Sequence, residues 1–474
     1  MTNSTAQKLL DRKVGEFFCP AIDRIPDLVR RQRTFFATGA TRSAAFRREM
    51  LRRLLDALRK WETPLSEALY SDLHKSPEEA FMTELGILYG EIKLHLRNVK
   101  KWSRVKRRPT PLKMFPSRSR TLFEPLGSAL IIAPWNYPVQ LLLNPLIGAI
   151  SSGCTALLKP SPYTPAVSAA LAAMITETFD EEYIALVEGD RTVNTALLAE
   201  RFDVIFFTGS PALGRVVMRA AAENLTPVIL ELGGKSPCIV DSDADLEIAA
   251  RRIAWGKCLN AGQTCIAPDY LLIHSSLADD FVKKFAAEVK RLLGDDAFTA
   301  RHYVRMVNER AFDRVSGYLS EGRAVVGGRT DEAERMIEPT LLRDAAVDAK
   351  VIQEEIFGPL LPMLTFDNAD EAVSFVNSRE KPLALYYFGS PKRGMEIVKR
   401  TSSGGACIND VIMHVVNENI PFGGVGNSGL GSYHGRRTFE AFSHERSVVI
   451  TPVWPDMPFR YSPYRFFKLV KKFF

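Results

Sequence analysis

V-I-L-E-L-G-G-K-S-P-C-I-V at residues 228–240 and N-A-G-Q-T-C at residues 260–265 decide how the chain is read. The run P-V-I-L-E-L is short, β-branched and bounded by Pro227 and Gly233, the pattern of a buried strand. Glu231 is therefore carried to a sheet edge and released into the Gly233-Gly234 turn, where a carboxylate can face a cleft. Cys265 follows a helical pattern over 246–259 and a polar turn, so it too belongs at an element boundary. A thiol is a strong nucleophile at neutral pH and a carboxylate can serve as general base. The pair points to covalent catalysis through sulfur.

Working back from this stretch, strand and helix patterns alternate. A buried strand over 128–133 ends in P-W-N-Y-P, where the restricted backbones of Pro134 and Pro138 fix Asn136. Asn136 is either a fixed amide donor for an oxyanion or an ordinary turn residue. A helix over 141–151 leads to the strand C-T-A-L-L-K-P, which ends at Lys159, either a ribose contact or a solvated lysine. Helices over 164–179 and 192–200 flank Y-I-A-L-V-E-G, and the strand D-V-I-F-F then delivers T-G-S-P-A-L-G. The alternation predicts an α/β fold with a doubly wound parallel sheet. Gly209, Ser210 and Gly214 open a helix after a strand, the arrangement of a pyrophosphate cradle, although the spelling G-S-x-x-x-G is a weak signal alone.

Further out, 43–61 and 81–102 read as amphipathic helices, and the basic cluster Lys100 to Arg108 as a solvated helix end or a phosphate contact. The 474 residues suggest two or three domains, and 46% hydrophobic with 25% charged content is that of a globular enzyme. A net charge of +7 without a nucleic-acid motif gives no reason to expect a nucleic-acid partner. Cys19, Cys154, Cys238, Cys258, Cys265 and Cys407 lack C-x-x-C spacing, so no metal site is expected, and a reducing cytoplasm fits better than a disulfide framework. Cys258 and Cys238 read as core. The N-terminus shows no secretory h-region, and the longest apolar stretch, 126–150, is broken by Pro134, Asn136, Pro138, Asn144 and Pro145.

The ordered set L-E-L-G-G-K-S-P-C, A-W-G-K-C-L-N-A-G-Q-T-C-I-A-P-D-Y, Q-E-E-I-F-G-P and P-F-G-G-V-G-N-S-G resembles the aldehyde dehydrogenase superfamily from about residue 45 to 447. The spelling is similar to its class-three branch, which oxidises fatty and aromatic aldehydes. The resemblance implies NAD(P)-dependent oxidation of an aldehyde to the acid, with Cys265 as nucleophile, Glu231 as base and Asn136 as oxyanion donor. It also implies Lys159, Gly209, Ser210, Gly214, Glu355 and Phe357 around NAD, with NADP accepted too. Relatives that carry a Glu three positions after the ribose-binding lysine disfavour a 2′-phosphate, and Pro162 stands there here. Tyr137, Trp255, Phe422 and His434 are candidate substrate walls for medium or long alkyl and aryl aldehydes, though Trp255 reads equally as core and His434 as structural. A coenzyme-A-acylating relative is the alternative, disfavoured by the carboxylate at 231.

Three units are expected: 1–230 as the NAD(P)-binding domain, interrupted by a bridging hairpin near 107–124; 231–420 as a second α/β, catalytic domain; and 421–474 as a small β oligomerisation strand and tail. The resemblance implies a homodimer, the hairpin adding to a strand near 445–451 of the same or a partner chain. The tail Y-R-F-F-K-L-V-K-K-F-F has Phe466, Leu469, Val470, Phe473 and Phe474 at helical stripe spacing amid cations. Its expected role is either a peripheral membrane contact or docking on the enzyme's own surface.

Overall fold

A computed structural model describes residues 18–464 and 467–471. Two parallel sheets organise it. The first holds six strands in the order Gly429–Leu430, Val228–Leu232, Val204–Gly209, Ser128–Ile132, Thr155–Lys159, Ile184–Leu186. All its pairings are parallel except that of Gly429–Leu430, which runs antiparallel to Val228–Leu232. Ser128–Ile132 and Thr155–Lys159 are buried throughout, as continuous apolar strands covered on both faces must be. Below the sheet lies Gln140–Ser152, a helix apolar all round and buried at every position, with Ala44–Lys60 and Gly86–Trp102 packed against it. Its Leu142, Leu146, Ile147 and Ile150 are fully enclosed, each contributing about 1.5–3 kcal/mol.

Start and stop signals are local. Pro165 and Pro211 occupy first helical turns, and the Asp245 side chain accepts the Glu247 and Ile248 N–H groups to start Leu246–Cys258. Gly153, at φ 95°, ends Gln140–Ser152 in the left-handed region.

The second sheet has seven strands, in the order Arg323–Val326, Thr340–Arg343, Leu360–Phe366, Tyr270–His274, Pro237–Val240, Ala384–Phe388, Gly405–Ile408. The third pairs Arg118–Pro125 with Lys106–Arg108 on one side and with Ser443–Ile450 of the same chain on the other, both antiparallel.

The expected division at residue 231 needs correction. Val228–Leu232 is a strand of the first sheet, hydrogen-bonded along Val204–Gly209, and the second sheet begins only at Pro237. Nor does the chain leave the first sheet for good, because Gly429–Leu430 returns to its edge from within the segment assigned to oligomerisation and tail. The predicted helix over 81–102 is also split: Phe81–Leu85 forms one π-helical turn before Gly86–Trp102. In the tail, Phe467–Val470 forms a single helical turn. The stripe residues Phe466, Phe473 and Phe474 lie outside the described residues, so the predicted apolar face has no structural account. Among the described residues no helix is long and apolar enough to cross a membrane.

Candidate active site

At the C-terminal ends of the first sheet's strands lies a cavity of about 310 Å3. It brings together Asn136, Gly209, Ser210, Glu231, Cys265, Glu355, Phe357 and Phe422 from six separate motifs. Trp135, Thr208, Arg314, Leu383 and Tyr433 complete much of its wall.

The thiol of Cys265 is half-buried at the end of an unusual turn. Leu246–Cys258 is followed by Leu259–Gly262, in which Asn260, Ala261 and Gly262 all adopt positive φ, at 50°, 49° and 70°. Two consecutive non-glycine residues in that region are strained. The turn is held by Gln263, whose amide donates to the Asn260 and Arg305 carbonyls and accepts from the Val307 N–H. Burial pushes the Cys265 thiol up to about 12, with Glu355 and Glu231 adding to the rise and its own and the Ile266 backbone N–H groups opposing it. The thiol is therefore protonated when the cavity holds only protein groups.

Glu231 is buried, and neither carboxylate oxygen has a hydrogen-bond partner among the described residues. Burial pushes this carboxyl well above the usual carboxylate range. Asn136 donates one amide N–H to the Gln263 carbonyl at 3.0 Å, which leaves the second for a ligand. Glu355 accepts the Gly234 N–H at 3.1 Å, and burial, with Asp269 nearby, raises its carboxyl to about 8. A Cβ on Gly233 would stand 2.1 Å from Glu355 Oε2, which explains the glycine there. Phe357, at φ 51°, packs edge-on against Trp135 with ring centroids 5.3 Å apart.

The features fit a dinucleotide. Pro211–Ala222 is capped by Ser210, whose side chain accepts the Leu213 N–H, so the N-terminal end of the helix stands with Gly209 and Ser210 on the cavity wall. Thr208 Oγ1 is buried there without a partner among the described residues, and Glu355 offers a carboxylate. Lys159 is buried at the end of its strand and donates to the Pro160 carbonyl at 2.7 Å, its ammonium pushed down to about 8 by burial.

Several expected residues lie off the cavity wall. Gly214 instead lets the helix approach the strand: a Cβ there would meet Leu232 Cδ2 at 2.7 Å. Tyr137 is buried behind the wall, its hydroxyl 2.6 Å from Thr264 Oγ1. Trp255 packs against the main core, and His434 lines a separate 640 Å3 depression while contacting Phe422 at 5.2 Å between ring centroids. Cys258 and Cys238 are buried in the core, where burial raises both thiols, that of Cys258 to about 12. Trp135 and Tyr433 adjoin residues singled out in the sequence, whereas Arg314, on Glu309–Gly317, carries no motif at all.

Comparison with known proteins agrees with this geometry. A family profile described as "Aldehyde dehydrogenase family" matches residues 23–448. The 4,4'-diaponeurosporen-aldehyde dehydrogenase of Staphylococcus aureus is 44% identical over 446 residues, 93% of this chain and 97% of its own. The dimeric NADP-preferring aldehyde dehydrogenase of Canis lupus familiaris is 42% identical over 449 residues, 93% of this chain and 98% of its own. A solved structure described as the substrate-bound state of Staphylococcus aureus AldH superposes with a TM-score of 0.93 at 43% identity, over 95% of this chain and 99% of that one. A cysteine, an amide and a carboxylate gathered at the C-terminal ends of a doubly wound sheet, beside a helix N-terminus, are the groups an NAD(P)-linked aldehyde oxidoreductase brings together. The chain belongs to the aldehyde dehydrogenase family, with relatives in its class-three branch, and oxidises aldehydes to acids with NAD(P).

Proposed function

We propose that Cys265 is the nucleophile, that Asn136 and the Cys265 backbone N–H bind the oxyanion, and that Glu231 activates water. The observation that carries this reading is that these three residues share one cavity with Gly209, Ser210, Glu355 and Phe357. The Cys265 thiol gives up its proton to water, Sγ bonds to the aldehyde carbon as the C=O π pair moves onto oxygen, and the charge developing there meets the Asn136 amide. NAD(P) bound there would supply the hydride acceptor, and loss of hydride from that carbon would leave the acyl group on Cys265 as a thioester. Glu231, once ionised, takes a proton from water as the water oxygen attacks the thioester; the C–S bond breaks and the carboxylic acid departs. Gly209 and Ser210 would hold the pyrophosphate, Lys159 and Glu355 the ribose hydroxyls, and Phe357 the nicotinamide side.

The substrate is a medium- or long-chain aliphatic or an aromatic aldehyde. Apolar walls support this, Leu141, Leu383, Phe422 and Tyr433 among them, as does a relative named for 4,4'-diaponeurosporen-aldehyde. NADP is accepted as well as NAD: Pro162 offers no carboxylate against a 2′-phosphate, and one relative is named NADP-preferring. The enzyme is a homodimer. Ser443–Ile450 is an edge strand with Val449 and Ile450 half-exposed, an open template for a second copy, and the same relative is named dimeric. Cys154, Cys238, Cys258, Cys265 and Cys407 are unbridged, which supports a cytoplasmic setting.

The test is NAD(P)H formation across an aldehyde chain-length series, with and without coenzyme A. A rise in kcat/KM with chain length and no dependence on coenzyme A is expected. A preference for acetaldehyde would contradict the substrate assignment, and a coenzyme A requirement the hydrolytic step.

A further inference from the structure

Three ionisable side chains outside the cavity are buried, and the chemistry described above does not use them. Lys75 and Glu84 are completely enclosed, and Glu79 nearly so. They sit on one short stretch: Lys75 precedes Pro77–Ala80, Glu79 lies within it, and Glu84 lies in the π-helical turn Phe81–Leu85. Burying charges of this kind is costly unless every one is paired. Here the pairing runs to the two loops that carry the reacting groups.

Lys75 Nζ donates to Glu84 Oε1 at 2.7 Å and to the Asn136 carbonyl at 3.1 Å, and it lies 4.3 Å from the centre of the Tyr137 ring. Glu84 Oε2 accepts the Val139 and Gln140 N–H groups at 2.8 and 3.2 Å. Those are orphan donors at the start of Gln140–Ser152, whose N-cap position, Val139, has no capping side chain. One ion pair thus holds the P-W-N-Y-P loop at the Asn136 carbonyl and at the first two N–H groups beyond the loop. Glu79 Oε1 accepts the Asn260 N–H at 2.9 Å, at the first left-handed residue of the turn before Cys265. Asn260 closes the circuit, donating its side-chain amide to the Asn136 carbonyl at 3.1 Å and to the Gln263 carbonyl at 3.0 Å.

We infer that the segment 75–84 is a positioning bracket for catalysis: Lys75 and Glu84 fix the Asn136 loop, and Glu79 fixes the strained turn that presents Cys265. The inference rests on the oxyanion role proposed for Asn136. None of the three residues lines the cavity, so each acts through another group. The physical reason is distance. An oxyanion donor works only when the amide is held in place before the charge develops, and a loop bounded by two prolines still needs its middle fixed.

The test is a double-mutant comparison on the full-length enzyme with saturating NAD and one aldehyde, reading kcat/KM and the single-turnover rate of NADH formation. Lys75→Met combined with Glu84→Gln removes both charges together, so neither is left unpaired, and glutamine keeps an oxygen for Val139 and Gln140. The pair lowers kcat/KM about tenfold when Asn136 is present, but less than about twofold in an Asn136→Ala background. NADH affinity, followed by fluorescence titration, stays unchanged. Equal losses in both backgrounds would overturn the inference, because the bracket would then act by general loosening. So would no loss in either. If Asn136→Ala alone has no effect, the oxyanion reading fails and the inference falls with it; if that change is severe while the pair is inert, the inference alone fails. Glu79→Ala tests the other arm even if the paired variant does not fold. Iodoacetamide capture of Cys265, located by peptide mapping, slows about threefold or more because the backbone N–H groups facing sulfur lose alignment. An unchanged capture rate would overturn the bracket at the nucleophile.

Discussion

The ionisation of Cys265 is the property of this site most open to direct measurement. An ordinary cysteine is partly thiolate at pH 8. Held up near 12 by burial first, then by Glu355 and Glu231, Cys265 is thiolate in about one molecule in ten thousand at that pH. Alkylation by iodoacetamide without cofactor is therefore about a thousandfold slower than for a free thiol, before any change in intrinsic reactivity. The rate should climb about tenfold per pH unit from 7 to 10 with no plateau. Glu355→Gln removes the larger carboxylate contribution and shifts the profile to lower pH; Glu231→Gln does the same to a smaller degree. Stopped-flow alkylation with peptide mapping of Cys265 reads both. A plateau below pH 9 in the wild type, or a shift to higher pH in either variant, would refute the assignment of causes.

Three further outcomes follow from the geometry. Glu79 and Glu355 titrate near 7 and 8 in the folded chain, above the ordinary 4.5. Between about pH 5 and 8 the native state therefore holds protons that the unfolded state has released, and stability falls as pH rises through that window. Chemical denaturation of Glu79→Gln against wild type should show a shallower decline, and an equal slope would contradict this. Gly214→Val places a side chain into Leu232, displaces the helix Pro211–Ala222 from its strand, and should weaken NAD binding about tenfold, measured by fluorescence titration. The tail's two expected roles are separated by sedimentation with anionic liposomes, where stronger pelleting of full-length protein than of a form ending at Pro463 would mark membrane contact. Equal sedimentation would favour docking on the enzyme itself.

Much of this site is legible in the sequence because glycine and proline mark it. Asn136 stands between prolines, Glu231 before paired glycines, and Cys265 after Gly262, so each backbone need is visible in residue type. The strands Ser128–Ile132, Thr155–Lys159 and Val204–Gly209 are equally plain, being apolar runs with abrupt ends. The bracket is not. D-L-H-K-S-P-E-E-A-F-M-T-E at 72–84 carries no motif, Lys and Glu are rarely enclosed, and only tertiary pairing reveals that Lys75, Glu79 and Glu84 are internal. Tyr137 and Trp255 mislead for a related reason. Both lie near reacting residues in sequence, but Tyr137 points behind the loop toward Thr264 and Trp255 packs on the core. The boundary expected at 231 does not fall between the two sheets, because the strand that carries Glu231 is hydrogen-bonded into the first.

In the mechanism proposed, Cys265 carries the acyl group and Glu231 releases it. Glu231→Gln, mixed with NAD and an aldehyde and quenched within one turnover, should give a burst of about one NADH per active site followed by slow turnover. Intact-protein mass should rise by the acyl group, mapped to the Cys265 peptide. NADH formation without an acylated Cys265, or acylation at Cys258 instead, would contradict the account.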